Sequence, residues 1–219
     1  MRKLVLLLVV ACLLVAADVA ARRAIEGQLE RRVRQAVSSA DGVSADAVSV
    51  HIDSFPFLAR LGLTGNVAGV KASVAGIQVK GLRLTRVAVD LHDVHIDRNR
   101  LVVDRQVDIT TVGRGLAVGE VTQADLRRAL DGLPVVLGAG TIGVTVAGVK
   151  AAVSARVANG VLQLSAGGVR FPAVTLPKLP LLPCVTQAVS VPGRLLLSCT
   201  VAQVPPELFR GTPTSSAAG

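Results

Sequence analysis

In the sequence AGVKASV, residues 68–74, apolar side chains alternate with small or polar ones. A period of two is the pattern of a β-strand that buries one face. The same alternation occurs in VSVHI, residues 48–52, and in VAVDL, residues 87–91. At His92-Asp93 the apolar phase slips by one residue, which predicts a β-bulge. The repeated pattern predicts an antiparallel sheet with one apolar face.

A helix is predicted before the first strand, over residues 20–39. Its apolar residues recur at helical spacing and form one narrow stripe. They are Ile25, Leu29, Val33, and Ala36 or Val37. A stripe of this kind packs on a sheet. We therefore predict an α+β fold in which a long N-terminal helix packs along a strongly curved antiparallel β-sheet.

Three further elements are predicted along the chain. Thr122 and Asp125 resemble a capping box that opens a short helix. Residues 101–109 are predicted to form a strand. Asn159-Gly160 lies between two alternating runs and predicts a tight β-hairpin turn.

Composition favours an apolar or anionic partner. Apolar residues make up 51% of the 219 residues, and the net charge is +9. Mean hydropathy is +0.56. The chain has four Phe and no Trp or Tyr, so it lacks the aromatic platforms that bind single-stranded nucleic acid. We expect no nucleic-acid partner. The positive charge indicates either a solvated basic surface or contact with anionic lipid headgroups.

The first 21 residues are predicted to be a signal peptide or a membrane anchor. A positive start precedes an apolar run from Leu4 to Ala17, and small residues precede a possible cleavage site before Arg22. The run reaches Ala21 only if Asp18 lies near the membrane interface. Several arginines follow it and oppose export by the positive-inside tendency. They are Arg22, Arg23, Arg31, Arg32 and Arg34. We nevertheless expect export to the outer face of the cytoplasmic membrane or a periplasm-like space, with cleavage and retention both open.

The domain organisation follows from this boundary. Residues 22–210 are predicted to form one α+β domain, and residues 211–219 a disordered tail. Removal of the signal leaves two cysteines, Cys184 and Cys199, which suit one disulfide. A two-residue turn at Pro192-Gly193 places Cys184 opposite position 201, so an offset is needed for this bond. Two buried thiols are the alternative.

No catalytic motif stands out in the sequence. There is no nucleophile elbow, no phosphate-binding loop and no dinucleotide fingerprint. His92 and His95 lie three residues apart on a predicted strand, and no third metal ligand is evident beside them. We expect neither an enzyme nor a metal or other cofactor.

Residues 54–58, Ser-Phe-Pro-Phe-Leu, are followed by Leu61-Gly62 and Gly65, and this motif resembles a family signature. With the signal-like segment and the Arg/Glu helix before it, this arrangement resembles the LmeA-like phospholipid-binding family of actinobacterial envelope proteins. The resemblance covers roughly residues 1 to 205. It implies a fold like that of the tubular lipid-binding domains, with an apolar groove. It also implies a phospholipid ligand and no catalytic residues.

The expected role is therefore binding of phospholipid in the cell envelope, as a carrier or as a factor in envelope lipid or glycolipid assembly. The expected partners are an anionic phospholipid and the membrane surface. A structural or interaction domain without a ligand is the alternative. The residues expected to contact acyl chains are Phe55, Phe57, Leu58, Val70, Ile77, Leu82, Leu84, Val144 and Val146. The basic residues expected at the headgroup rim are Arg60, Lys71, Lys80, Arg83 and Arg86.

Overall fold

The computed structural model describes residues 2–38, 43–79, 82–103, 107–146, 148–158, 160–166, 169–176 and 185–201. Its helices are α1 (Arg2–Ser38), α2 (Phe57–Thr64), α3 (Arg98–Val103) and α4 (Gln123–Ala129). The strands before α4 are β1 (Val43–Ser44), β2 (Ala47–Asp53), β3 (Asn66–Val79), β4 (Leu82–Ile96) and β5 (Ile109–Thr122). The strands after α4 are β6 (Val135–Leu137), β7 (Ile142–Val146), β8 (Val149–Ala158), β9 (Val161–Ala166), β10 (Val169–Arg170), β11 (Val174–Thr175), β12 (Gln187–Val191) and β13 (Arg194–Val201).

The first sheet is antiparallel, with strand order β1-β3-β4-β5-β13-β12, and β2 pairs with β3 beside β1. It curls into a half-barrel, in agreement with the strongly curved sheet that the sequence predicts. One corner lies at Gly76, whose φ is +65°. A Cβ there would lie only 1.8 Å from a carboxylate oxygen of Asp46, so only glycine fits. Beyond this corner the buried position moves from Val74 to Ile77, which keeps an apolar side chain on the inner face.

The second sheet is also antiparallel, with order β10-β9-β8-β7-β6 and β11 paired to β9. The chain reaches it through α4, whose N-cap Thr122 accepts a hydrogen bond from the Asp125 N–H, as predicted. The β12–β13 hairpin joins the two sheets. Gly140 N–H donates to the Ser190 carbonyl, and Gly193 N–H donates to the Leu137 carbonyl. The structure thus has two sheets where one was expected.

Helix α1 packs against the first sheet at its β2 margin. Leu29, Val33 and Val37 are buried there, which confirms the predicted stripe. The helix provides hydrogen-bond partners for backbone groups at the free edge of β2. Glu26 and Glu30 accept hydrogen bonds from the N–H groups of residues 52 and 50, at 2.8 and 3.0 Å. These carboxylates cover an edge that would otherwise be open to pairing with another chain. The predicted α+β class and curved antiparallel sheet are confirmed.

Two local predictions have different outcomes. The phase slip in β4 is present, since the buried positions shift from Leu91 to Val94 and Asp93 has a φ of +54°. The β-bulge predicted at His92-Asp93 is misplaced, because the pairing with β3 and β5 keeps its register there and shifts only between His95 and Ile96. The predicted strand over residues 101–109 is wrong, because its first residues belong to α3. Asp97 Oδ1 accepts hydrogen bonds from the N–H groups of residues 99 and 100 and so caps that helix.

Candidate functional site

The inner face of the curled sheet is a continuous apolar surface. Three rows of directly opposite residues cross it from β2 towards β13, and every member is apolar or glycine. They are Val48–Val74–Val87–Gly119–Leu197, Val50–Ala72–Val89–Ala117–Cys199 and Ile52–Val70–Leu91–Gly115. No member of these rows is exposed. We call them the inner rows.

The inner rows carry their smallest side chains along β5. Gly115, Ala117 and Gly119 carry at most a methyl group, whereas their partners on β4 are Val87, Val89 and Leu91. Six of these positions alternate large and small across two neighbouring strands. A surface with such ridges and depressions makes more van der Waals contact with a long, flexible apolar chain than with a flat ring.

The outer face of the same sheet is mainly polar. Its rows include Ser49–Ser73–Ala88–Val118–Ser198 and His51–Lys71–Asp90–Leu116–Thr200. A shallow cavity of about 300 Å³ lies on this face and is lined in part by Lys71, Arg86 and Asp90. The register therefore separates an apolar surface from a polar one across a single sheet.

Four predicted groove residues belong to the inner surface. Val70, Ile77, Leu82 and Leu84 are each at most 5% exposed. Val144 is buried as well, but it lies in the second sheet. Val146 is the last residue of the same strand, β7.

Three of the predicted rim residues, Lys71, Arg83 and Arg86, do not border that surface. Lys71 and Arg86 lie on the outer face, and Arg86 Nε donates to Ser73 Oγ at 2.9 Å. Arg83 donates to Asp46 at 3.2 Å. Lys80 lies outside the described residues. Lys71, Arg83 and Arg86 therefore do not meet the predicted groove residues of this sheet in one site.

Lys71 is also engaged by a carboxylate. Its ammonium donates a hydrogen bond to Asp53, on the neighbouring strand β2. This bond lowers the pKa of Asp53 and raises the pKa of Lys71. A lipid phosphate at Lys71 would have to compete with this partner.

The Phe-Pro-Phe-Leu segment divides between core and surface. Phe57 is fully buried, while Phe55 is 68% exposed and Leu58 is 43% exposed. Phe57 therefore packs α2 into the core and does not lie on a surface that lipid could reach. Phe55 and Leu58 remain free to touch lipid, and Arg60 is exposed close to them on α2.

The sequence did not reveal the role of Asp18. This residue is 5% exposed, and its carboxylate accepts hydrogen bonds from the backbone N–H groups of Phe57 and Leu58, at 3.1 and 2.6 Å. It thereby caps α2 from another helix. In the sequence its only signal is a single acid at the end of an apolar run.

The part of α1 before Asp18 stands apart from the domain. Side chains from Leu4 to Ala17 are exposed. By length and composition α1 is able to cross a membrane, although a signal sequence would have the same properties.

The described residues show neither a metal site nor the predicted disulfide. Within the described residues, no group of three or more His, Cys, Asp and Glu side chains is placed to hold a metal ion. His92 Nε2 lies 3.3 Å from Asp90 Oδ1. Val191 pairs with Arg194 across the predicted two-residue turn. Cys184 lies outside the described residues, so its bond to Cys199 stays a prediction.

Comparison with known proteins agrees with an apolar ligand. The model of the LmeA-like phospholipid-binding family matches residues 16–197. The chain belongs to this family. The match starts two residues before Asp18 and includes α2 and every member of the inner rows except Cys199, and it supports a lipid-binding role. No curated protein and no solved structure matches the chain.

Proposed function

We propose that this protein binds phospholipid in the cell envelope by holding acyl chains against the inner rows of the first sheet, once the core packing that covers these rows opens. The observation that carries this proposal is the unbroken apolar character of those rows across β2 to β5 and β13. Burial of about ten methylene groups contributes about 8 kcal/mol before the costs of association. That is enough to hold a lipid reversibly, as a carrier or an assembly factor requires.

The same proposal includes location and headgroup preference. The apolar part of α1 and the family membership support export to the outer face of the cytoplasmic membrane. The net charge of +9 supports an anionic lipid, since each basic residue near a charged surface contributes about 1 kcal/mol. The outer-face residues Lys71, Arg83 and Arg86 are not assigned to the headgroup, because they lie across the sheet from the inner rows.

A matched pair of variants tests the binding surface. Ala72 and Ala88 lie on neighbouring strands and are both partly buried, but Ala72 belongs to the inner rows and Ala88 to the outer face. Ala72→Leu adds bulk where acyl chains would lie, and Ala88→Leu adds the same bulk on the other side. Circular dichroism first establishes that both variants fold.

Uptake is then measured on the full chain by native mass spectrometry, after incubation with phosphatidylglycerol and release from detergent micelles. We expect a bound lipid on the unmodified protein and on Ala88→Leu, and about tenfold less on Ala72→Leu, because the larger side chain occupies space against the inner rows. A tenfold loss of affinity corresponds to about 1.4 kcal/mol. Equal uptake by both variants contradicts the proposed surface. No uptake by the unmodified chain favours a structural envelope domain without a ligand.

A further inference from the structure

The outward face of α2 is apolar, although it is exposed. Phe57 and Leu61 point into the core. At 3.6 residues per turn, the opposite side of this short helix is a continuous arc, and no charged residue lies on it. The arc consists of Leu58, Ala59, Gly62 and Leu63, all exposed. Leu63 is 80% exposed, and Phe55, just before the helix, is 68% exposed.

Asp18 fixes this helix beside α1. Pro56 occupies the N-cap position of α2 and provides no side-chain acceptor, so the carboxylate of Asp18 takes that role. Asp18 is also the first buried residue of α1. The apolar arc of α2 is therefore held at the level where the exposed apolar segment of α1 meets the domain.

The length of that segment brings α2 to a membrane. Residues 4–17 span about 21 Å as a helix, whereas the hydrocarbon core of a bilayer is about 30 Å thick. Because the segment is shorter than the hydrocarbon core, a bilayer that contains it also reaches the part of the domain beside Asp18, which is α2. Interfacial helices bury an apolar face about 5–10 Å into the boundary between headgroups and acyl chains. The arc of α2 has the composition and the position for this contact.

Basic residues lie beside the arc. Arg60 is exposed on the margin of α2, and exposed Arg98 donates from Nη1 to the Gly62 carbonyl at 2.8 Å, close to the C-terminal end of the helix. Guanidinium groups at the border of an apolar face bind the phosphates of anionic lipids.

We infer that Phe55 and the outward arc of α2 form a bilayer-contact surface, and that the working protein keeps Asp18 and the apolar segment before it as a membrane anchor. The occupant of the surface is the phospholipid bilayer that the anchor enters. This contact does not depend on an acyl chain in the inner rows, so it goes beyond the proposed function.

The absence of Trp from the chain provides the test. Leu63→Trp places one reporter on the arc. Val149→Trp is the matched control, because Val149 is 69% exposed and lies in the second sheet, which the chain enters from the end of β5 opposite to α2. Each full-length variant is reconstituted in vesicles of equal parts phosphatidylcholine and phosphatidylglycerol, with bromine on the acyl chains as a quencher.

We expect at least about threefold stronger quenching at position 63 than at position 149, because an interfacial residue lies within about 10 Å of the acyl boundary. Equal quenching at the two positions overturns the inference. Addition of Asp18→Ala to Leu63→Trp should reduce the quenching, since α2 loses its tie to α1. Unchanged quenching in that double variant overturns the role given to Asp18.

Retention of the anchor is tested on protein isolated from membranes. Intact mass and N-terminal peptides should include Asp18, and a mature chain that begins after residue 18 overturns the inference. The Ala72→Leu substitution distinguishes the two proposals. It should reduce lipid uptake about tenfold while leaving quenching at position 63 unchanged.

Discussion

Replacement of Asp18 by alanine should loosen α2 without unfolding the domain. The Asp18 carboxylate is buried and accepts two backbone hydrogen bonds from the first turn of α2. Pro56 offers no substitute acceptor. Loss of an N-cap costs about 0.5–2 kcal/mol, and a hydrogen bond to a charged group contributes about 1.5–3 kcal/mol. Because water reaches the exposed side of α2 in the variant, we expect a loss of about 2 kcal/mol for local opening.

Hydrogen exchange of the peptide that spans residues 55–64 measures this loss. A change of about 2 kcal/mol corresponds to about thirtyfold faster exchange. Asp97→Ala is the matched control, because Asp97 caps α3 through the N–H groups of residues 99 and 100. It should accelerate exchange in α3 and leave α2 unchanged. Equal protection of α2 in Asp18→Ala and in the unmodified protein would refute the capping role.

Three further predictions concern the fold. Leu29→Ala should lower the free energy of unfolding by about 3 kcal/mol, and the half-exposed control Leu116→Ala by less than about 0.5 kcal/mol, as denaturant titration would show. Lys71→Met should raise the pKa of Asp53 towards its ordinary value of 3.8 in an NMR titration. The Asp53–Lys71 pair stabilises the fold above the ordinary pKa of Asp53, and this stabilisation is lost as the pH falls through the lowered pKa of Asp53 in the folded protein. Because both side chains are exposed, the contribution to stability is small. Non-reduced protein should show no alkylation of Cys184 or Cys199, and the bond should contribute about 3 kcal/mol.

The sequence predicts the parts of the fold that follow from periodicity. The alternation of Val70 with Lys71 correctly places one on the inner face and the other on the outer face. The stripe that includes Leu29 correctly identifies the packed side of α1, and Thr122 correctly marks the start of α4. These signals are local, because strand pleat and helix pitch determine where neighbouring side chains point.

The site is harder to predict because it depends on contacts between distant residues. The groove list and the rim list were drawn from the same strands, so the pleat necessarily separated Val70 from Lys71 across the sheet. Asp18 and Phe57 are 39 positions apart, and only the packing of α2 on α1 brings them together. The prediction of a strand at residues 101–109 was wrong because Asp97 caps a short helix there, and apolar content alone does not indicate that helix.

The position of a bound acyl chain tests directly whether the inner rows hold lipid. A phospholipid with a photoactivatable group near the end of one acyl chain is incorporated into membranes that contain the full-length protein, and the cross-linked peptides are identified after illumination. We predict adducts in peptides of β3, β4 and β5 that carry the inner rows, in addition to the anchor and α2, which touch the bilayer. Adducts confined to α1 and α2 would contradict this prediction, because the protein would then contact lipid only as a membrane surface.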